Sequence, residues 1–65
     1  MKGTVKSFNA KRGYGFITGE DGNEYFAHYS EIQSEGFKKL KTGSDVSFEP
    51  GSSEKGNIAK TITEM

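Results

Sequence analysis

Apolar and polar residues alternate along the chain in short segments separated by turn-forming residues. No window of about eleven residues sustains the three-and-four spacing of an amphipathic helix. The pattern predicts an all-β chain. A first strand runs from Lys2 to Asn9 with Val5 inward, and the polar stretch from Asn9 to Gly13 turns the chain. A second strand covers Gly13 to Thr18, where Tyr14 and Phe16 point one way and Gly13, Gly15 and Ile17 the other, because side chains alternate across a strand. The Asp21-Gly22 pair within "GEDGNE" is a strong hairpin signal, so a third strand from Glu24 to His28 returns antiparallel to the second. On that strand Phe26 and His28 share one face, and Tyr25 and Ala27 the other.

Ser30-Glu31-Ile32-Gln33 fits a capping box and predicts one helical turn, ended by Gly36, before the long loop "SEGFKKLKTGS". A fourth strand from Asp45 to Glu49 places Val46 and Phe48 inward and stops at Pro50-Gly51; a fifth, from Asn57 to Thr63, carries Ile58 and Ile62. Five short strands in 65 residues are best accommodated by a small closed or nearly closed barrel, which leaves no exposed edges. Val5, Ile17, Ala27, Ile32, Leu40, Val46, Phe48 and Ile62 form the expected core. Placing Tyr14, Phe16, Phe26 and His28 inside as well would slip the register by one and turn Ile17 and Ala27 out. The alternation therefore puts these four rings on the surface and Tyr25 in the interior.

Composition narrows the function. A chain of 65 residues that is 31% hydrophobic reads as one domain with a small core. It has no cysteine for disulfides or thiolate metal sites, and no apolar run approaches the length of a membrane span, so a cytoplasmic location is expected. Net charge is zero, which disfavours polyanion binding by bulk charge. The distribution is uneven: residues 1–19 carry Lys2, Lys6, Lys11 and Arg12 and no acid, while residues 20–35 carry five acids and no base. His28 is the only histidine, and an acid-base pair would have to recruit Glu24 or Lys6 on a flat surface, so an enzyme is disfavoured. Glu20, Asp21, Asn23 and Glu24 lack the spacing of a calcium loop, and neither a metal nor a small-molecule cofactor is expected.

Rings projecting from neighbouring strands with glycines between them make a flat platform on which unpaired bases stack, each contributing about 1 to 3 kcal/mol. Gly13 and Gly15 let the sheet coil tightly or a partner approach. Lys6, Lys11 and Arg12 lie on or beside the same strands, where they can meet phosphates. Low-specificity binding of single-stranded RNA and DNA by a monomer is the expected function. The alternative is a barrel docking a peptide on the same rings, and salt separates the two, since only phosphate contacts weaken steeply as salt rises.

The segment "KRGYGFI" resembles ribonucleoprotein motif one and "EYFAHYS" resembles motif two as cold-shock proteins carry it. "VKSFNAKRGYGFIT" followed by "FAHYSEIQSEGFKKLKTGSDVSFE" is similar to the bacterial cold-shock domain over nearly the whole chain. Motif one alone is shared with RNA-recognition-motif domains, but those need two full helices and place motif two first. The resemblance implies a five-stranded antiparallel OB-fold barrel with one short helical turn, and an RNA chaperone or cold-shock regulator of transcription or translation. It implies stacking roles for Phe16, Phe26 and His28, flanking roles for Tyr14 and Tyr29, and a further ring at Phe37. Lys6, Asn9, Arg12 and Lys55 would make phosphate or base-edge contacts. Ser7 stands where the family usually has tryptophan, and Tyr14 and Tyr29 where it usually has phenylalanine, so the binding mode is expected to survive at lower strength.

Overall fold

In a computed structural model, which describes residues 1–33, 40–54 and 56–64, five strands form a closed barrel in the order β1-β2-β3-β5-β4. The strands are β1 (Lys2–Asn9), β2 (Tyr14–Gly19), β3 (Glu24–His28), β4 (Asp45–Ser53) and β5 (Gly56–Glu64). β1 pairs antiparallel with β2 and β4, β2 with β3, and β4 with β5. The last seam differs in sense: β3 and β5 run parallel, through Phe26 opposite Ile58 and Ala27 opposite Ala59. That contact joins strands far apart in sequence, which no hairpin signal announces.

The eight residues expected in the core are all buried, and Tyr25 and Ala59 join them. The Tyr25 ring tilts against Phe48 with centroids 4.9 Å apart, while its hydroxyl donates to Asp21 Oδ2 at 2.6 Å. That hydrogen bond raises the Tyr25 phenol and, with the Asn23 backbone N–H donating to the same carboxylate, holds the Asp21 carboxyl below its ordinary value. The tip of the β2–β3 hairpin is thus tied to the barrel interior.

Two bulges interrupt the alternation. In β1, Val5 faces Ile17 and Ser7 faces the adjacent Phe16, so Lys6 is an extra residue. In β5, Ser47 pairs with Thr63 but Glu49 pairs with Lys60, leaving one residue extra near Thr61, whose φ of 50° is exceptional for a β-branched side chain. The freed Thr61 N–H donates to Glu31 Oε1 at 3.3 Å. This second bulge lets Ala59 and Ile62 both face inward despite their odd spacing.

Three sequence expectations need adjustment. β4 does not stop at Pro50 but continues to Ser53. Phe48 N–H donates to Met1 O, and the nitrogen two residues on, at Pro50, points to the same side but lies beyond the β1–β4 ladder, which runs from Thr4 opposite Asp45 to Lys2 opposite Ser47, so no bond of that ladder is lost there. Gly13 precedes β2 rather than opening it; at φ 78° it closes the turn by donating its N–H to Asn9 O at 2.8 Å. The helical turn is 3₁₀, Tyr29–Glu31, and its cap is His28 rather than Ser30: Ser30 N–H donates to His28 Nδ1. Gln33 does not close a capping box, because its N–H donates to Ile62 O at 2.7 Å and carries the chain alongside β5. The expected stop at Gly36 lies outside the described residues.

Candidate nucleic-acid interface

Register places the outward side chains of β1, β2, β3 and β5 in two adjoining rows. Ser7, Phe16, Phe26 and Ile58 occupy one, ending at Gly51 on β4; Asn9, Tyr14 and His28 occupy the other. Phe16 meets Phe26 edge-on at 5.9 Å between centroids, and Tyr14 tilts against Phe26 at 5.5 Å. Phe26 leads to His28 at 6.4 Å, and His28 to Tyr29 at 4.6 Å. Phe16 and Tyr29 are 40% and 46% exposed, a degree of exposure that packing of the core does not require of large rings.

Local structure explains how the rings come together on this face. A Cβ on Gly15 would come within 2.1 Å of Ser7 O and 2.5 Å of Phe8 Cα, so only glycine lets the bulged β1 close against β2. Gly15 is buried and points inward, so of the two expected roles it serves coiling of the sheet and not the approach of a partner. Gly13 instead lies beneath the Tyr29 ring, where a Cβ would meet Tyr29 Cδ1 at 2.7 Å, and its carbonyl accepts the Tyr29 N–H. His28 is held by Ser30: Nδ1 accepts the backbone N–H at 3.2 Å and lies 2.8 Å from Oγ. With Nδ1 acting as acceptor, the ring proton belongs on Nε2.

The cations are arranged around the rings. Lys6, on the β1 bulge, reaches the carboxylate of Glu24 at the start of β3, and the two side chains keep 56% and 52% of their exposure. The Arg12 guanidinium lies 3.4 Å from the Tyr14 hydroxyl. Asn9 is a turn organiser as much as a contact candidate, since its Oδ1 accepts the N–H groups of Lys11 and Arg12. Phe37 and Lys55 lie outside the described residues. The structure therefore brings Lys6, Asn9, Arg12, Tyr14, Phe16, Phe26, His28 and Tyr29 to one side of the barrel.

Sequence reasoning missed the flank beyond Phe26. An open groove of about 670 Å³ is lined by Tyr14, Phe16, Glu24 and Phe26 on one side and by Ser53, Asn57 and Ile58 on the other. Only the β5 bulge shows that Ile58 and Ile62 take opposite faces, and no glycine marks it. Among the described residues no cluster of histidine, cysteine and carboxylate side chains could hold a metal ion, and no helix is long and apolar enough to cross a membrane.

A closed five-stranded barrel whose outer face carries a row of rings is an OB-type barrel of the cold-shock kind. Residues 1–65 match the 'Cold-shock' DNA-binding domain, and the chain belongs to that family. It is 57% identical over 60 residues to Cold shock protein 1 of Lactiplantibacillus plantarum, covering 92% of this chain and 91% of that one. It is 52% identical over 62 residues to a cold shock-like protein of Thermotoga maritima, covering 95% and 94%. Against the Major cold shock protein of Streptococcus pyogenes serotype M1 it is 47% identical over 64 residues, covering 98% and 96%.

Proposed function

We propose that this chain binds single-stranded RNA and DNA with little sequence preference, stacking unpaired bases on Phe16, Phe26, His28, Tyr14 and Tyr29, and so acts as an RNA chaperone and cold-shock regulator. The observation that carries the reading is the unbroken succession of ring contacts from Phe16 to Tyr29 across two strands and the following turn. Every base offers a π face, so such a row accepts any sequence, but only when the bases are unpaired. Lys6 and Arg12 flank the row and would hold phosphates while the bases stack. Membership in a family described as DNA-binding supports the same ligand class. Binding of this kind shifts melting equilibria by mass action and needs no nucleotide hydrolysis.

The test is fluorescence anisotropy with labelled oligo-dT and the matching duplex, for wild type and Phe16→Ala, across a salt series. The single strand binds more tightly, and Phe16→Ala loses about 1 to 3 kcal/mol. With two to four phosphates engaged, log affinity falls by about 1.4 to 2.8 for each log unit of salt. Equal affinity for duplex and single strand, or a folded Phe16→Ala protein that binds as wild type does, overturns the reading.

A further inference from the structure

We infer that the nucleic-acid site extends past the aromatic rows onto β5 and β4, where Ile58 seats one further base and Lys60 meets its phosphate. The inference rests on the proposed binding of single strands and adds a nucleotide position to it. Ile58 sits directly across from Phe26 and continues the row that begins at Phe16, and it is only partly buried. An aliphatic side chain beside a ring gives a stacked base the same kind of apolar floor at smaller area.

The neighbouring strand leaves that floor open. Gly51 pairs with Ile58, and a Cβ there would come within 3.3 Å of Ile58 Cγ1 and 3.1 Å of Lys60 Cε. The Lys60 stem therefore crosses the space above Gly51, beside Ile58 on the outward face. Glu49 lies opposite Lys60 in the ladder, yet the one ion pair within 4 Å among the described residues is that of Lys6 with Glu24. Asn57, exposed at the rim of the same groove, offers an amide donor and acceptor to a base edge. Ser7, at the β1 end of this row, has no ring, so the apolar stretch runs from Phe16 to Ile58 and the site is displaced by one strand toward β5.

A length series of oligo-dT separates this extension from the underlying reading. Wild type, Ile58→Ser and Lys60→Gln are compared by anisotropy at two salt concentrations, with thermal melts to establish folding. Wild-type affinity rises with length to a plateau. In Ile58→Ser the gain from the last nucleotide disappears, lowering the ratio of long- to short-oligonucleotide affinity by about three- to tenfold. In Lys60→Gln the salt slope for long oligonucleotides drops by about 0.7, one phosphate, whether or not the Ile58 variant folds. Variants that keep the wild-type length profile and slope overturn the extension alone, as does a loss equal at every length, which would make Ile58 a support for Phe26. A wild type that binds no oligo-dT of any length overturns the platform itself.

Discussion

Replacing Glu24 by glutamine should tighten single-strand binding, because the carboxylate competes with phosphate for the Lys6 ammonium. The two side chains span from the β1 bulge to the start of β3, both more than half exposed. An exposed pair of this kind is worth about 0.2 to 1 kcal/mol, so freeing Lys6 tightens binding at low salt by about 1.4- to fivefold. Lys6 then holds its phosphate more completely, steepening the slope of log affinity against log salt by up to about 0.7; a fourfold rise in salt removes up to about 2.6-fold of the gain. The fold loses no more than the pair is worth, a fall in Tm of at most about 4 to 8 °C for a domain this small. Anisotropy of labelled oligo-dT at two salt concentrations reads both quantities, and a thermal melt reads the third. Weaker binding by Glu24→Gln with an unchanged slope would refute the competition and make Glu24 an acceptor for the strand instead.

Other perturbations test the frame around the site. Gly15→Ala drives a methyl into the Ser7 carbonyl and the Phe8 backbone, neither of which can swing away, so it should cost about 3 kcal/mol or more; a melt within about 4 °C of wild type contradicts this. Ser7→Trp adds a ring opposite Phe16 on an exposed position and should strengthen binding by about 1 to 3 kcal/mol, with no change in affinity counting against a platform that reaches β1. The Tyr25 hydroxyl lowers the Asp21 carboxyl, so the folded state binds fewer protons than the unfolded one: this stabilisation is complete above the ordinary value of 3.8 and is lost as pH falls through the depressed folded value. Tyr25→Phe keeps the ring against Phe48 and removes the donor, so its urea midpoint should decline less steeply in that acid range; superimposable acid profiles would disprove the link.

Alternation alone placed most of this molecule. Ile17 and Ala27 must be inside, and that forces Phe16, Phe26, Tyr14 and His28 out, with Tyr25 following Ala27 inward. The Asp21-Gly22 signal located the hairpin because the turn is local and its chemistry is written in adjacent residues. What escaped were features set by contacts between distant segments. The parallel β3–β5 seam joins Ala27 to Ala59, two small residues whose individual patterns say nothing of each other. The exposed flank of β5 escaped because the bulge at Thr61 carries no glycine to announce it, and the continuation of β4 through Pro50 escaped because an edge position tolerates a residue that a central one would not.

The two bulges that defeat a strict period of two are also the features that shape the outer face. At Lys6 the extra residue in β1 brings Ser7 opposite Phe16 and sets a lysine, paired with Glu24, at the margin of the rings; at Thr61 the extra residue turns Ile58 to the ring side while Ala59 and Ile62 stay in the core. Each bulge settles two requirements together, a closed interior and an apolar exterior, which strict alternation would set against each other in so short a chain. The balance of forces in the proposed binding follows from this placement. With no net charge to attract a polyanion at long range, affinity must come from contact: rings and Ile58 for bases, and a few cations for phosphates. Duplexes keep their bases stacked on one another and so give the apolar row nothing to hold. In that proposal, discrimination between paired and unpaired strands would reside in the rows from Phe16 to Ile58 and from Tyr14 to His28, and the lysines and Arg12 would adjust only the strength of binding.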